Sequence, residues 1–136
     1  MSVHISSKMS PDEETAVVHG LLAFNEKQIG PSNEEPVKLV AFDVEGLVGG
    51  LIGHIRWRWL YVAKLWVDER ARSEGVGTKL LTAAEDLARS RGCVGVSLDT
   101  FEHQARPFYE KLGYELFGTL DGYPPGSRQF YLRKKL

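Results

Sequence analysis

The chain has 136 residues and sets 17 Lys plus Arg against 18 Asp plus Glu, a formal net charge of -1. That length suits one domain with its own core, and the near-neutral balance excludes a global field that would gather nucleic acid or an anionic membrane. No apolar run approaches the ~18 residues of a membrane span, the N-terminus MSVHISSKMSPDEE lacks an export core, and the lone Cys93 sits in an apolar stretch as a structural thiol would, so a reducing, cytoplasmic setting is expected.

Residues Val3 to Ser7 alternate weakly and are expected as a first strand. Ser10-Pro11-Asp12-Glu13 then reads as a helix start, with Ser10 as N-cap, Pro11 at the first helical position and Glu13 closing a capping box. Val17, Val18, Leu21, Leu22 and Phe24 carry that helix on to about Gln28. The composition from Gly30 to Pro36 is that of a loop. Three strands follow, Val37 to Asp43, Leu47 to Arg56 and Leu60 to Val67, with tight turns at Glu45-Gly46 and near Trp57-Arg58 that predict an antiparallel meander. Gly49, Gly50 and Gly53 fall inside the second of these strands, where glycine marks bulges or close backbone approach.

Val76, Leu80, Leu81, Ala84, Leu87 and Ala88 recur at helical spacing before a stop at Gly92. Val94 to Thr100 is a short apolar and β-branched run that completes a β-α-β crossover. A further helix from about Gln104 to Leu112 tolerates Pro107 in its first turn. Two last strands, Tyr114 to Leu120 and Gln129 to Lys134, are joined by Asp121-Gly122-Tyr123-Pro124-Pro125-Gly126.

The informative segment runs from Leu65 to Leu81, where a strand ends, a polar turn follows and Gly75 and Gly77 open an amphipathic helix. Unpaired N–H groups and the helix dipole suit such a turn to phosphate. The three-glycine spacing of a dinucleotide fingerprint is missing, and no Gly-Lys-Ser/Thr ending marks a P-loop. No Cys and His spacing resembles a metal site. One helix and one strand later stands Phe108-Tyr109-Glu110-Lys111-Leu112-Gly113-Tyr114.

These two motifs, in this order, resemble those of the GNAT superfamily of acetyl-CoA-dependent N-acetyltransferases. Arg72, Gly75 and Gly77 match its pyrophosphate loop, and Phe108, Tyr109, Gly113 and Tyr114 match its later helix. The resemblance implies an α/β (α+β) fold, a single domain over residues 1–136, with a mixed, mostly antiparallel sheet flanked by helices and splayed between the fourth and fifth strands. It implies acetyl-CoA as co-substrate, with pantetheine against the backbone of Leu65, Trp66 and Val67, pyrophosphate on Arg72, Ser73, Glu74, Gly75, Val76, Gly77 and Thr78, and Phe108 beside them. Tyr109 is then the catalytic acid that protonates the departing thiolate, in direct transfer to a primary amine within a ternary complex.

Where the family often has Asn, seven residues before that tyrosine, this chain has Glu102. For a general base the sequence offers His54, Glu69, Asp99, Glu102 and His103 without choosing among them. A small-molecule acceptor is expected over a protein N-terminus or lysine, and a non-catalytic CoA-binding module is the alternative from another class. A homodimer is common among such proteins, and neither a nucleic-acid nor a membrane partner is expected. The Leu120 to Arg128 and Gly30 to Pro36 loops, with Tyr123 as a ring for a cation, are expected to flank the amine's entrance.

Overall fold

Ser10 starts a helix because its side chain and that of Glu13 close each other's backbone: Ser10 Oγ accepts the Glu13 N–H at 3.1 Å, and Glu13 Oε1 accepts the Ser10 N–H at 2.8 Å. In the computed structural model, which describes Met1 to Leu136, this helix, α1 (Pro11–Ile29), carries three acids in its first turn and forms the body of a first compact unit, Met1–Ser32. Ser32 ends the unit by donating its N–H and Oγ–H to Glu26 at 2.7 and 2.9 Å. Val3 to Ser7 form no strand. Two apolar residues in a five-residue alternation specify no register, and no ladder partner is present.

The second unit, Asn33–Leu136, contains the sheet. Its first three strands, β1 (Glu35–Asp43), β2 (Gly46–Arg56) and β3 (Trp59–Val67), form the expected antiparallel meander. Trp57 and Arg58 make the second turn at positive φ (48° and 62°), the twist that a two-residue hairpin turn needs. Helix α2 (Val76–Ser90) crosses over to β4 (Gly95–Phe101), which pairs parallel to β3. A short helix, α3 (Arg106–Lys111), leads to β5 (Glu115–Asp121) and β6 (Arg128–Lys135). The sheet order is β1-β2-β3-β4-β6-β5, so the last strand slips in between β4 and its own hairpin partner. Because Val3 to Ser7 stay out, the strands expected as fourth and fifth are β3 and β4.

The β3–β4 ladder is short, running only from Trp59↔Gly95 to Val62↔Leu98, after which the strands part. The cause lies on the other side of β3. There the register with β2 jumps from Gly53↔Val62 to Ile52↔Lys64, leaving Ala63 as an extra residue, a β-bulge that bends its strand and increases its twist. Gly53 permits it: a Cβ at that position would run into the Tyr61 carbonyl oxygen.

Alternation along the strands puts Val37, Leu51, Leu60, Val62, Val96, Leu98, Phe130 and Leu132 on the face that α2 covers with Leu80, Leu81, Ala84 and Ala88. Glu85 is buried among them because Tyr114 Oη–H donates to it at 2.6 Å and Lys134 Nζ at 3.0 Å, which ties α2 to the far half of the sheet. Cys93 is buried as expected, its thiol pushed up by burial. No helix is long and apolar enough to cross a membrane. Replacing Gly53 by Ala sets a methyl against backbone that cannot swing aside, and should cost about 1 to 3 kcal/mol of stability in urea unfolding; an unchanged midpoint would show that the bulge needs no glycine there.

Candidate functional site

Past Val67 the chain makes a 3-10 turn, Glu69–Ala71, capped by Asp68, whose carboxylate accepts the Arg70 N–H at 3.0 Å. The Asp68 N–H donates to the Val48 carbonyl at 2.8 Å, which fixes the turn to β2. Arg70 is spent on structure, since its guanidinium reaches Asp43 at 2.9 Å and Glu45 at 3.3 Å on the β1–β2 turn. Arg72 is not: its Nε donates to the Val67 carbonyl at 3.3 Å, and the rest of its exposed guanidinium is uncommitted. Ser73 and Gly75 both take positive φ (71° and 77°), turning the chain into α2.

The two long helices begin in opposite ways. α1 is closed by its capping box and its acids. α2 has no side-chain cap and no acid in its first turn, so the amides of Val76, Gly77 and Thr78 face the turn with their partial positive charge uncompensated. Of the residues expected to bind pyrophosphate, Ser73, Glu74 and Thr78 are exposed, and Val76 and Gly77 are half-buried. Gly77 has a second duty. A Cβ there would lie 3.2 Å from Phe108 Cζ, so the glycine lets α3 pack against the start of α2.

On α3, Tyr109 is 8% exposed, its ring edge-on to Phe108 (5.1 Å between centroids) and to Tyr114 (5.9 Å). Its hydroxyl has no hydrogen-bond partner in the protein and is not sealed from solvent. Burial, helped by the charge of Asp99, pushes its pKa up to about 12, so the phenol is a proton donor at any physiological pH and never a base. Leu65, Trp66 and Val67 lie on β3 beyond its last pair with β4, with Leu65 packed on the core and Trp66 half exposed. Their backbone borders the gap.

The face of the sheet opposite α2 carries a second cluster. Asp99 is the first β4 residue past the last β3–β4 pair. Its Oδ2 accepts the Tyr61 hydroxyl at 2.6 Å, and its Oδ1 accepts Gln129 Nε2 at 2.8 Å. The bond to Asp99 raises Tyr61 to about 12. His54, on β2, lies ring to ring with Tyr61 at 5.5 Å. The other candidate bases stand elsewhere: Glu69 is exposed in the 3-10 turn, and His103 stacks on Phe101 at 5.6 Å. Glu102 is held by Arg128 at 2.9 Å, which keeps its pKa low and employs it in joining the ends of β4 and β6. The sequence reading missed Tyr61 and Gln129, which sit in no motif and meet Asp99 only through strand register.

The expected entrance comes apart. Tyr123 stands 5.4 Å from Phe101, at the end of the sheet where β4 finishes. Glu35 is at the other end, paired with Arg91 at 2.9 Å after α2 has finished. Glu35 and Tyr123 thus stand at opposite ends of one sheet and do not flank one opening.

A family model described as the acetyltransferase (GNAT) family matches residues 7–114. Among curated proteins, the blasticidin-S acetyltransferase of Streptomyces morookaense is 45% identical over 91 residues, covering 66% of this chain and 67% of that protein. Acetyltransferase Atu2258 of Agrobacterium fabrum is 34% identical over 136 residues, 99% of each chain. An acetyltransferase from Bacillus cereus, solved by crystallography, superposes with a TM-score of 0.87 at 32% identity over 98% of both chains.

The two glycines of the turn should respond differently. Gly75→Ala meets open space but a left-handed backbone and should cost about 1 kcal/mol. Gly77→Val must displace the Phe108 ring and should cost more, about 1 to 3 kcal/mol. Calorimetric melting of both variants checks the order, and the reverse order would remove the packing role from Gly77.

Proposed function

The chain belongs to the GNAT acetyltransferase family and is an N-acetyltransferase that draws its acetyl group from acetyl-CoA, and from that premise we propose that it passes the group directly to the primary amine of a small molecule bound in the same complex. The observation that carries this reading is the gap between β3 and β4: a phenol stands ready on the α2 side, and a carboxylate cluster stands on the other. The residues present fit the co-substrate. The uncapped, acid-free start of α2 and the uncommitted guanidinium of Arg72 suit a diphosphate. The β3 backbone from Leu65 to Val67, released from β4, suits the amides of pantetheine. Acetyl-CoA supplies an acetyl group activated as a thioester.

Tyr109 holds its proton at the free hydroxyl and gives it to the sulfur as charge develops there. Asp99 cannot do that work, since it lies across the sheet with its oxygens engaged by Tyr61 and Gln129. Direct transfer is favoured over an acyl-enzyme because the one cysteine of the chain is buried with its thiol pushed up, the reverse of an activated nucleophile. A small-molecule acceptor is favoured by the 45% identity to an enzyme named for blasticidin S.

Four measurements test the reading. Thiol release from acetyl-CoA should follow addition of one among blasticidin S, glucosamine 6-phosphate and nourseothricin; release only with peptides bearing a free N-terminus or lysine would move the acceptor to protein. Thr78→Glu puts an acid into the exposed first turn of α2, where it should raise the melting temperature slightly by complementing the helix dipole while weakening acetyl-CoA about tenfold in calorimetric titration. Unaltered affinity would take the diphosphate away from this turn. Tyr109→Phe removes only the hydroxyl and should lower kcat by about 10²- to 10⁴-fold with acetyl-CoA affinity intact. Because the raised pKa keeps the proton on until about pH 12, the wild-type rate should show no alkaline limb from this group between about pH 6 and 10.

A further inference from the structure

Gln129 is 6% exposed, and its side-chain oxygen Oε1 is the one buried side-chain polar atom of the protein with no hydrogen-bond partner. The amide cannot be turned round to relieve this. Nε2 donates to Asp99 Oδ1 at 2.8 Å, and exchanging the two ends would press an oxygen against a carboxylate. A buried acceptor left without a donor costs free energy, about 1 to 3 kcal/mol, and calls for an explanation. Here the explanation is supplied by its surroundings. Oε1 shares a carbon with the nitrogen that touches Asp99, Asp99 is the first residue past the last β3–β4 pair, and Tyr61 locks the carboxylate from the other side at 2.6 Å.

The inventory of bonding capacity on this face is lopsided. Tyr61 and Gln129 each spend a donor on Asp99, whereas Oε1 has both lone pairs unspent and each carboxylate oxygen retains acceptor capacity. The unmet demand is for several N–H donors on one atom, preferably with positive charge. A hydroxyl offers one hydrogen and a peptide amide one; an alkylammonium offers three.

We propose that Gln129 Oε1 and the Asp99 carboxylate form an ammonium clamp at the mouth of the β3–β4 gap, which receives the acceptor as a protonated primary alkyl amine from the face opposite α2. The clamp rests on the acetyl-transfer reading and adds the residues that receive its acceptor. It is a binding and positioning device: Gln129 and Asp99 hold the nitrogen in line with the gap, while Tyr61 keeps the carboxylate still.

The test uses the full chain saturated with CoA, which blocks turnover, and n-butylammonium chloride as probe with 1-butanol as its neutral counterpart. In ¹⁵N-resolved NMR the side-chain NH₂ signals of Gln129 should move in a saturable way with butylammonium and stay put with butanol. Gln129→Met and Asp99→Asn should each weaken butylammonium about tenfold or more, with acetyl-CoA affinity by calorimetry unchanged. Because the wild-type signal is itself decisive, poor folding of a variant does not rescue the proposal. If acetyl-CoA binds and the Gln129 signals ignore butylammonium, Oε1 is satisfied by buried water alone and the clamp is overturned while the transfer reading stands. If acetyl-CoA itself does not bind, both fall together.

Discussion

The arrangement depends on one irregularity, the extra residue Ala63 on β3. A twisted sheet with unbroken ladders leaves no room between neighbouring strands for anything larger than hydrogen bonds. By spending a residue against β2, β3 turns away from β4 just past Val62, and backbone that would have been paired is released. The cost is borne by Gly53, whose missing side chain lets the Tyr61 carbonyl come close. Everything placed at the gap follows from that bend: the strand edges that face each other, Asp99 at the vertex and the turn that leads into α2.

Helix α2 holds the two diverging halves together. Its apolar face packs across β1, β2, β3 and β4, and buried Glu85 binds Tyr114 and Lys134 on the far side. Its first turn can therefore be left uncapped, because the stability that a cap contributes comes from packing further along the same helix. The same division recurs elsewhere. Arg70 ties the β1–β2 turn down, leaving Arg72 uncommitted. Tyr61 and Gln129 Nε2 fix Asp99, leaving Gln129 Oε1 unpaired. In each case one group carries the structure so that its neighbour need not.

What the sequence reading captured was local. Ser10 and Glu13 specify a capping box within four residues, and the stripe from Val76 to Ala88 specifies a helix by its period. The Arg72 to Thr78 turn and Tyr109 lay in contiguous motifs, and the turn is found between the end of β3 and the start of α2, with Tyr109 on α3. The bulges or close backbone approach expected at Gly49, Gly50 and Gly53 are both found: a Cβ at each would meet a carbonyl oxygen, of Trp66, Leu39 and Tyr61 in turn, and the extra residue Ala63 lies across from Gly53. What escaped was assembled across strands. Tyr61, Asp99 and Gln129 come from β3, β4 and β6, and they converge only because β6 enters the sheet beside β4 with Phe101 opposite Gln129. A slip of one residue would have presented Phe130 instead. The Gly30 to Pro36 loop failed as an entrance for the same reason, since composition marks a loop without saying at which end of a sheet it lies.

The parting of β3 and β4 also creates something rare, a pair of strand edges in the interior of a sheet. Open edges invite strand addition from other chains, and proteins ordinarily shield them with charge, proline or a covering element. Here the opening is a wedge that narrows to a closed ladder at Val62 and Leu98, so the free edges converge on a vertex instead of running side by side as an open template. A ligand that fills the wedge acts as the strand that is missing from it.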